Sequence, residues 1–180
     1  MAIHLRPLLS TDWEAVHSWS QREEACRYQV WGPNTPEQSR EFVEMTAAAW
    51  SQNPQTQFSY AVVLDDRVMG LGVLYHRSWC EGEVAYSTHP DLWGRGIGTE
   101  TGWELVRIGF AEHKLHRIFG TCDPRNTASS RVLVKLGMVH EGRKREHQLI
   151  RDGWRDSDLY SILEYEWRAL NPQEHMRGDR

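Results

Sequence analysis

Three glycines at alternate positions, Gly94, Gly96 and Gly98, form the stretch of sequence best suited to chemistry. They follow a segment, Glu83 to His89, that alternates as a strand, and they overlap a helical pattern that begins at Ile97. A helix N-terminus offers unpaired N–H groups and the positive end of the helix dipole, and glycine lets a phosphate approach the backbone closely. The spacing therefore favours a site that holds an anionic group such as a pyrophosphate.

Two familiar nucleotide sites do not fit this turn. A P-loop requires GxxxxGKS or GxxxxGKT, and the chain contains no Gly-Lys pair. A dinucleotide-binding turn requires GxGxxG or GxGxxA, but Thr99 and Thr101 stand where its last residue would be. The alternative interpretation is structural: the glycines make a tight turn, and Gly98, Gly102 and Gly109 let the helix pack closely on the sheet.

The composition limits the class of protein. With 180 residues, of which 39% are hydrophobic and 26% charged, the chain is predicted to form one domain with a buried core. A net charge of -4 argues against a general nucleic-acid binder, which needs a basic face. No apolar run approaches the ~18 residues of a membrane helix, and no signal-peptide pattern is present, so we expect a soluble, cytoplasmic protein. The cysteines and histidines show no metal-binding spacing.

The elements that must position the turn form an alternating series. Strands are predicted at Ile3 to Leu8, Phe58 to Leu64, Val68 to His76, Glu83 to His89, His116 to Cys122, Met138 to Arg145 and Asp158 to Trp167. Helices are predicted at Trp13 to Trp19, after Thr35, at Ile97 to His113 and at Thr127 to Leu136. In the second helix Thr35 is the expected N-cap, and Phe42, Met45 and Ala49 are expected on one apolar face. We predict a domain over residues 1–168 and a polar tail over residues 169–180.

Several segments beyond the glycine turn resemble the GNAT superfamily of acetyl-CoA-dependent N-acetyltransferases, and most closely its RimJ/RimL-like branch. The resemblance covers nearly the whole chain and is carried by LRPLLSTDWEAV, GRGIGTE, NTASSRVLVKLGMVHEG and WRDSDLYSILEYEW. It implies an α/β fold of the α+β kind, with a mixed, mostly antiparallel sheet of about seven strands flanked by helices. It also implies a coenzyme cleft where two central strands splay, with acetyl-CoA as the acetyl donor and no metal.

The resemblance also implies which residues hold the coenzyme. Gly96 and Gly98 take the last two positions of the family pattern (Q/R)-x-x-G-x-(G/A), whereas Trp93 stands where the family has Gln or Arg. The turn's backbone N–H groups would hold the pyrophosphate, and Asn126 would bind the pantetheine arm or simply cap its own helix. The full set implied for the coenzyme is Tyr86, Ser87, Trp93, Gly94, Arg95, Gly96, Ile97, Gly98, Thr99, Asn126, Ser129, Arg131 and Lys135.

Acetyl transfer to an amine needs a neutral nitrogen, a stabilised oxyanion and a proton for the departing thiolate. At pH 7 about one-tenth of an α-amine is neutral, against roughly one lysine-like amine in several thousand. The resemblance implies Glu83 as the base, commonly through water, and Ser129 as the donor to the thiolate. The backbone N–H of Tyr86 or Ser87 would bind the oxyanion. Glu83 as a solvated carboxylate or as an anchor for a substrate ammonium stays an equal alternative, and Glu81 is a less favoured base.

Other side chains flank the site in the sequence. His89 and His116 belong to the residue type most often used for proton transfer, but chance proximity is the default among nine histidines. Tyr28, Trp31 and Trp154 lie where the family places its substrate loops, so aromatic walls could accept an amine by cation–π contact. The other interpretation, which we favour for most of the nine tryptophans, places them in the core or in an interface.

The expected function is therefore direct transfer of an acetyl group from acetyl-CoA to a primary amine. No cysteine or other activated nucleophile is placed for a covalent intermediate. The acceptor is predicted to be the N-terminal amine of a protein or peptide, or the amine of a small molecule. Two alternatives are a detoxifying enzyme for an antibiotic or polyamine and a non-catalytic acetyl-CoA-binding regulatory module. A homodimer is compatible with exposed tryptophan, and no nucleic-acid or membrane partner is expected.

Overall fold

Residues 2–171, which the computed structural model describes, form seven strands and six α-helices. The strands are β1 (His4–Pro7), β2 (Gln57–Leu64), β3 (Arg67–His76), β4 (Glu81–Thr88), β5 (Arg117–Cys122), β6 (Val139–Ile150) and β7 (Gly153–Leu163). The α-helices are α1 (Trp13–Ser20), α2 (Glu23–Cys26), α3 (Pro36–Ala48), α4 (Ile97–Arg107), α5 (Thr127–Lys135) and α6 (Glu164–Leu170). One sheet contains all seven strands in the order β1-β2-β3-β4-β5-β7-β6, which confirms the predicted mixed sheet.

The central strands β4 and β5 part within the sheet. They are the one parallel pair in the described sheet, and their pairing runs only from Glu81 with Arg117 to Glu83 with Phe119. Both strands continue, to Thr88 and Cys122, without pairing with each other. Their outer neighbours, β3 and β7, keep antiparallel pairing along these extensions. We call the open space beyond the last β4–β5 pair the fork; its presence confirms the predicted splay of two central strands.

One arginine fixes the closed end of the fork. Arg117, the first residue of β5, donates from Nε to Glu81 on β4 at 2.9 Å. Its two terminal nitrogens donate to Glu141 on β6 at 2.6 and 2.8 Å, and one of them also donates to Ser161 on β7 at 2.7 Å. A planar guanidinium suits this role because it presents several donors in a fixed geometry. A single side chain thus links four strands where β4 and β5 are still paired.

Helices cover both faces of the sheet. On one face, α4, α5 and α6 pack over a core that includes Leu105, Ile118 and Leu133. On the other face, α1 and α3 bury Val16 and Val43 against the sheet. Each face therefore has its own hydrophobic cluster, and β4 lies between them at the centre of the sheet.

The apolar face predicted for α3 is wrong for Phe42 and Met45, whereas Ala49, just after the last residue of the helix, is buried as predicted. Thr35 caps the helix as expected, because its hydroxyl accepts from the Gln38 N–H at 3.3 Å. Phe42 and Met45, however, are 36% and 65% exposed. The buried face consists of Ser39, Val43 and Thr46. These smaller side chains let α3 approach α1 closely, and Ser39 meets Ser20 of α1 at 3.0 Å, so a polar residue is satisfied inside the contact.

The strand predicted at the C-terminal end is too long. It ends at Leu163, and the following residues form α6. The Leu163 N–H donates to the Glu166 carboxylate at 2.8 Å, which satisfies a donor at the start of the helix. Helical rotation buries Trp167 and exposes Tyr165, which strand alternation would have placed on one face. Helix α6 extends past residue 168, the predicted end of the domain, and residues 172–180 of the predicted tail lie outside the described residues.

The hydrogen bonds of Arg117 with Glu81, Glu141 and Ser161, which we call the clamp, predict a pH dependence of stability. Hydrogen bonds from Arg117 and Ser161 hold the pKa of Glu141 at about 2, well below its usual range. A lowered carboxyl pKa stabilises the folded state above the unfolded value of about 4.3, and this contribution is lost as the pH falls toward the folded value. Glu141→Gln should therefore flatten the fall in the free energy of unfolding between about pH 5 and pH 3, as measured by urea titration.

The matched control is Glu112→Gln, which alters an exposed acid paired with Arg107 away from the clamp. This variant should keep the wild-type pH dependence. An equally steep loss of stability in the Glu141→Gln protein would contradict the assignment of that loss to the clamp.

Candidate active site

The glycine turn leads from the fork end of β4 into α4. Gly94 and Gly96 have φ angles of 77° and 86°, in the left-handed region that favours glycine. A Cβ added at either position would meet no atom within 4 Å. The backbone conformation therefore explains why glycine is needed here, and the surface over the turn is open to a ligand.

Several backbone donors in the turn point to no acceptor. The Arg95 N–H donates to the Leu92 carbonyl at 3.3 Å, and the Thr99 N–H donates to the Gly96 carbonyl at 2.9 Å. Among residues 2–171, no acceptor is found for the N–H groups of Gly94, Gly96, Ile97 and Gly98. Free donors at a helix start, together with the helix dipole, form a site for an anion. The free donors thus include four of the six residues from Gly94 to Thr99 whose N–H groups are predicted to hold the pyrophosphate; Arg95 and Thr99 are the exceptions.

The side chains around the turn have different surroundings. Trp93 is 52% exposed, and its Nε1 donates to the Thr88 carbonyl at 3.2 Å, so the indole anchors the turn to the end of β4. Arg95, Arg131 and Lys135 are exposed, as expected for partners of phosphate groups. Arg131 also donates from Nε to the Thr127 carbonyl at 3.1 Å.

The glycines of α4 divide into two kinds. A Cβ at Gly102 would lie 2.7 Å from Leu136, so that glycine lets α4 pack against its neighbour. A Cβ at Gly98 would meet its nearest atoms, in the Tyr86 ring, at an ordinary 3.8 Å. The structural interpretation of the glycines therefore holds for Gly102, whereas Gly98 is not required by packing.

Glu83 is the last residue of β4 that pairs with β5. Its Oε2 accepts from the Arg77 Nε at 2.7 Å and lies 2.6 Å from Arg77 Nη2. The guanidinium also stacks over Tyr75, with Cζ 4.6 Å from the ring centroid. With a side chain 19% exposed, Glu83 is not a solvated carboxylate on a sheet edge. Within the described part of the chain its Oε1 accepts no hydrogen bond, which leaves that atom for a water or an amine.

Tyr86 and Ser129 meet across the fork. The Tyr86 Oη lies 3.2 Å from Ser129 Oγ and 3.4 Å from the Ser129 carbonyl oxygen. Ser129 lies in the first turn of α5, and its N–H donates to the side chain of Asn126 at 3.1 Å, so Asn126 is the N-cap of the helix, as expected whether or not it also binds the pantetheine arm. Burial raises the pKa of Tyr86 well above its usual value, and the bond with Ser129 offsets part of that rise. Tyr86 therefore keeps its proton.

From the sequence, Tyr86 is expected to contribute only its backbone N–H. The structure places Tyr86 and Ser87 beyond the last β4–β5 pair, where β4 has parted from β5. Both residues still pair with β3 in an unbroken register, so β4 has no bulge on that side. The phenol was missed. The alternation of β4 is the signal that could have found it, because buried Val84 shows which face is covered by helices, and Tyr86 lies on that same face.

The other proton-transfer candidates have local partners. Glu81 accepts from Arg117 in the clamp, and the Nδ1 of His89 accepts from the Asp91 N–H at 3.2 Å. The side chain of His116 is exposed, and its backbone N–H donates to the Cys80 carbonyl at 2.8 Å. The contacts of Glu81 and His89 give those two side chains a structural explanation, whereas the contact of His116 involves only its backbone.

His147 on β6 is a residue that the sequence analysis missed. Its Nδ1 lies 3.0 Å from the Ser157 hydroxyl. Burial and the charge of Lys144 lower the pKa of His147, whereas the charge of Glu83 raises it, and the net shift is downward. The imidazole is therefore mostly neutral at pH 7 and close enough to Glu83 to feel its charge. Only the fold brings β6 and β4 this close, so no local pattern could have identified the pair.

The predicted substrate aromatics lie in three different environments. Tyr28 lies between two arginines, with the Cζ atoms of Arg27 and Arg125 at 5.4 and 5.6 Å from its ring centroid. Trp31 packs against the core under α1 and α3, and Trp154 is 56% exposed near the β6–β7 turn. The core interpretation therefore fits Trp31, while Tyr28 and Trp154 stay candidates for substrate contact.

A groove of about 560 Å³ separates α2 from the β6–β7 turn. An ion pair between Glu23 of α2 and Arg151 of the turn, 3.1 Å long, joins its two sides. Glu83 and Ser129 do not line it. The groove is thus lined by residues close to Tyr28 in the sequence. The candidate catalytic side chains, Glu83 and Ser129, lie at the fork instead.

Neither a metal-binding cluster nor a membrane-spanning helix is found among residues 2–171. They contain no group of three or more His, Cys, Asp or Glu side chains arranged to hold a metal ion. None of their helices has the length and the apolar character needed to cross a membrane.

Comparison with known proteins places this fold in a family. Residues 2–139 match the family described as "Acetyltransferase (GNAT) domain", which is more than half of the chain. The chain belongs to the GNAT family. The acetyl-CoA-dependent N-acetyltransferase chemistry expected from the resemblance is thereby confirmed at the level of the family.

Individual GNAT relatives agree with this assignment. The uncharacterized N-acetyltransferase YnaD of Bacillus subtilis is 29% identical over 159 residues, which are 87% of this chain and 90% of that protein. The ribosomal protein uS5 alanine N-acetyltransferase of Escherichia coli K12 is 29% identical over 84 residues, 47% of this chain and 43% of that protein. A crystal structure of a GNAT-family acetyltransferase from Bacillus anthracis has a TM-score of 0.79 and 29% identity, with 92% of this chain and 96% of that one covered.

Within the GNAT fold, two groups of candidates lie on opposite faces of β4. Strand alternation directs Glu83 away from the face to which Val84 and Tyr86 belong. The carboxylate is therefore on the side of Arg77, and the Tyr86–Ser129 pair is on the side of α4 and α5. The backbone of β4 therefore lies between the Glu83 carboxylate on one face and the Tyr86 and Ser129 hydroxyls on the other.

The two kinds of glycine in α4 predict different effects of alanine. Gly102→Ala should lower the free energy of unfolding by about 1–3 kcal/mol, because the new methyl must displace the fully buried Leu136. Gly98→Ala should be neutral or stabilising by up to about 1 kcal/mol, since its methyl fits and alanine favours a helix. Denaturant titration of both variants checks this, and an equal loss in both would contradict the distinction.

Proposed function

We propose that this GNAT protein transfers an acetyl group from acetyl-CoA directly to a primary amine, either the N-terminal amine of a protein or peptide or the amine of a small molecule. The observation that carries the proposal is the glycine turn, with four free N–H donors at the end of the strand that bears Glu83. Strand β4 thus carries the candidate base, Glu83, and the turn that follows β4 carries the donors for an anion.

The turn fits the pyrophosphate of the coenzyme. The N–H groups of Gly94, Gly96, Ile97 and Gly98 would donate to its oxygens, in the open space over the two left-handed glycines. Coenzyme A, when bound, supplies the thioester whose carbonyl the amine attacks. The pantetheine arm would follow the unpaired part of β4 at Tyr86 and Ser87, where backbone donors also suit the oxyanion. Exposed basic side chains near the turn and on α5 would pair with phosphate groups.

Glu83 would receive the amine. Arg77 holds one carboxylate oxygen in place, and the other oxygen is left to accept from the amine or from a water. The amine nitrogen then bonds to the thioester carbon and loses a proton toward Glu83 or that water, and the carbon–sulfur bond breaks as the tetrahedral intermediate collapses. Ser129 would donate a hydrogen bond to the departing thiolate.

Direct attack is favoured because the thiol at the fork is a poor nucleophile. Cys122 is the last residue of β5 and is 7% exposed. Burial and the neighbouring carboxylates of Asp158 and Asp123 together raise the pKa of Cys122 to about 11, so the thiol is protonated near neutral pH. A protonated, buried thiol does not form an acetyl-enzyme readily.

Thiol release from acetyl-CoA, measured with a panel of N-terminal peptides, polyamines, aminoglycosides and amino acids, tests the proposed function. We expect turnover with one of these classes and coenzyme binding in parallel titrations. Binding without turnover of any amine would favour a regulatory module, and an absence of binding would refute the proposed use of the glycine turn.

A matched pair of variants isolates the turn in the same assay. Gly96→Ala should weaken coenzyme binding by about tenfold or more, because the strained alanine methyl occupies the space over the free N–H groups. Gly153→Ala is the control, since this glycine also has a positive φ, 116°, and an open surface, but lies on β7. Equal weakening in both variants would show that backbone strain, and not the position of the methyl, is responsible.

The role of Glu83 predicts a pH-dependent effect. Glu83→Gln should lower kcat/KM more at about pH 6.5 than at about pH 9, because the neutral amine is scarce at the lower pH and a base matters most there. Glu81→Gln, on the same strand but bonded to Arg117, is the control and should keep the wild-type pH profile. A raised KM for the amine at every pH, with kcat unchanged, would instead identify Glu83 as an anchor for the ammonium group.

A further inference from the structure

We propose that Tyr86 is a positioning residue whose phenol donates to Ser129 Oγ and thereby directs the Ser129 hydroxyl proton toward the departing thiolate. This inference rests on the proposed function, because it assigns a partner to the serine that would serve the thiolate. It gives the Tyr86 side chain a role distinct from the backbone role expected for that residue.

The place of Tyr86 in the fork supports this role. Tyr86 lies beyond the Glu83–Phe119 pair, so its strand has already parted from β5. Its ring contacts the first turn of α4, as shown by the 3.8 Å approach to a Cβ built at Gly98. Its hydroxyl reaches the first turn of α5 at Ser129, 3.2 Å away. The side chain thus joins the N-terminal turns of the two helices between which the coenzyme would lie.

The proton of the Tyr86 phenol has two acceptors at Ser129, the Oγ at 3.2 Å and the carbonyl oxygen at 3.4 Å, and we assign it to the nearer Oγ. The Ser129 N–H is fixed by the Asn126 side chain, so the backbone is held in place. A serine hydroxyl has one proton and two acceptor positions, and a phenol is the more acidic of the two hydroxyl partners. When Tyr86 donates to Ser129 Oγ, the serine proton must point away from Tyr86, into the fork.

The buried phenol acts by orientation and not by giving up its proton. Burial raises the pKa of Tyr86, so a tyrosinate would be costly at this position. As the carbon–sulfur bond breaks, the electron pair stays on sulfur, and the Ser129 O–H donates a hydrogen bond to the thiolate. The thiolate takes up its proton from solvent after release, while the proton of the amine leaves through Glu83 or water. Tyr86 is unchanged at the end of the reaction.

A second phenol provides a matched control. Tyr160 on β7 is 8% exposed; burial raises the pKa of Tyr160, and the nearby Ser130 side chain offsets a small part of that rise. Ser130 follows Ser129 on α5, and its hydroxyl donates to the Thr127 carbonyl at 3.1 Å. The chain therefore contains two neighbouring Tyr–Ser pairs at the same helix end, and only the Tyr86–Ser129 pair includes the serine proposed to serve the thiolate.

The test combines Tyr86→Phe, Ser129→Ala and the double variant in steady-state acetyl transfer. Phe keeps the ring and its packing, so Tyr86→Phe should lower kcat by about tenfold while the Kd for coenzyme A stays within about twofold. In the Ser129→Ala background, Tyr86→Phe should change kcat by less than about twofold, because the group that it orients is gone. Tyr160→Phe should keep a kcat near that of the wild type.

The other possible outcomes distinguish a failure of the role proposed for Ser129 from a failure of the inference about Tyr86. A normal kcat in Ser129→Ala refutes the role of Ser129 in the proposed function, and the inference about Tyr86 falls with it. A slow Ser129→Ala with a normal Tyr86→Phe refutes the inference alone. A tenfold loss that persists in the double variant shows that Tyr86 acts independently of Ser129, and a loss of coenzyme affinity in Tyr86→Phe shows a packing role; both results overturn the inference.

Discussion

The early end of the β4–β5 pairing is the constraint on which the rest of the structure depends. A strand that parts from its neighbour leaves N–H and C=O groups without partners, and such groups are costly when they are buried away from water. The chain keeps this cost local because Arg117 bonds to β4, β6 and β7 at the closed end, and β3 and β7 keep their pairing beside the opening. A ligand that pairs with the freed backbone therefore enters a sheet that is already held open.

The alternation of β4 gives this opening two chemical sides. Glu83 shares its ion pair with Arg77, whereas Tyr86 bonds with Ser129 on the opposite face. In proposed acetyl transfer, the amine must lose a proton and the thiol must be stabilised as it leaves, and one residue type cannot serve both needs equally well. The backbone of one strand keeps the carboxylate and the hydroxyl groups apart, so that each stays in the state its task requires.

Local signals in the sequence were enough for much of this architecture. The glycine turn, the caps at Thr35 and Asn126 and the seven strands depend on backbone conformations that nearby residues determine. The buried face of α3 was not predictable in this way, because it depends on which side chains fit against α1. The partners of Glu83 and Tyr86 depend on strand register and on contacts between segments distant in the sequence, as the separation of Tyr86 from Ser129 by 43 residues illustrates.

The charged and neutral groups along the fork are distributed according to how deeply each part of the fork is buried. Charged groups at the closed end, Arg117 with Glu81 and Glu141, satisfy one another and stay partly exposed. On the side of α5 the buried carboxylates of Asp123 and Asp158 are paired with Arg125 and Arg143, and the other polar groups at the fork are neutral hydroxyls and a protonated thiol, which leave no unpaired charge. Such groups stabilise a negative charge only when it develops, so no reorganisation of buried ions is needed at that moment. A neutral hydroxyl network beside an open fork is therefore the arrangement that physical chemistry favours for a site where a thiolate would appear and then depart.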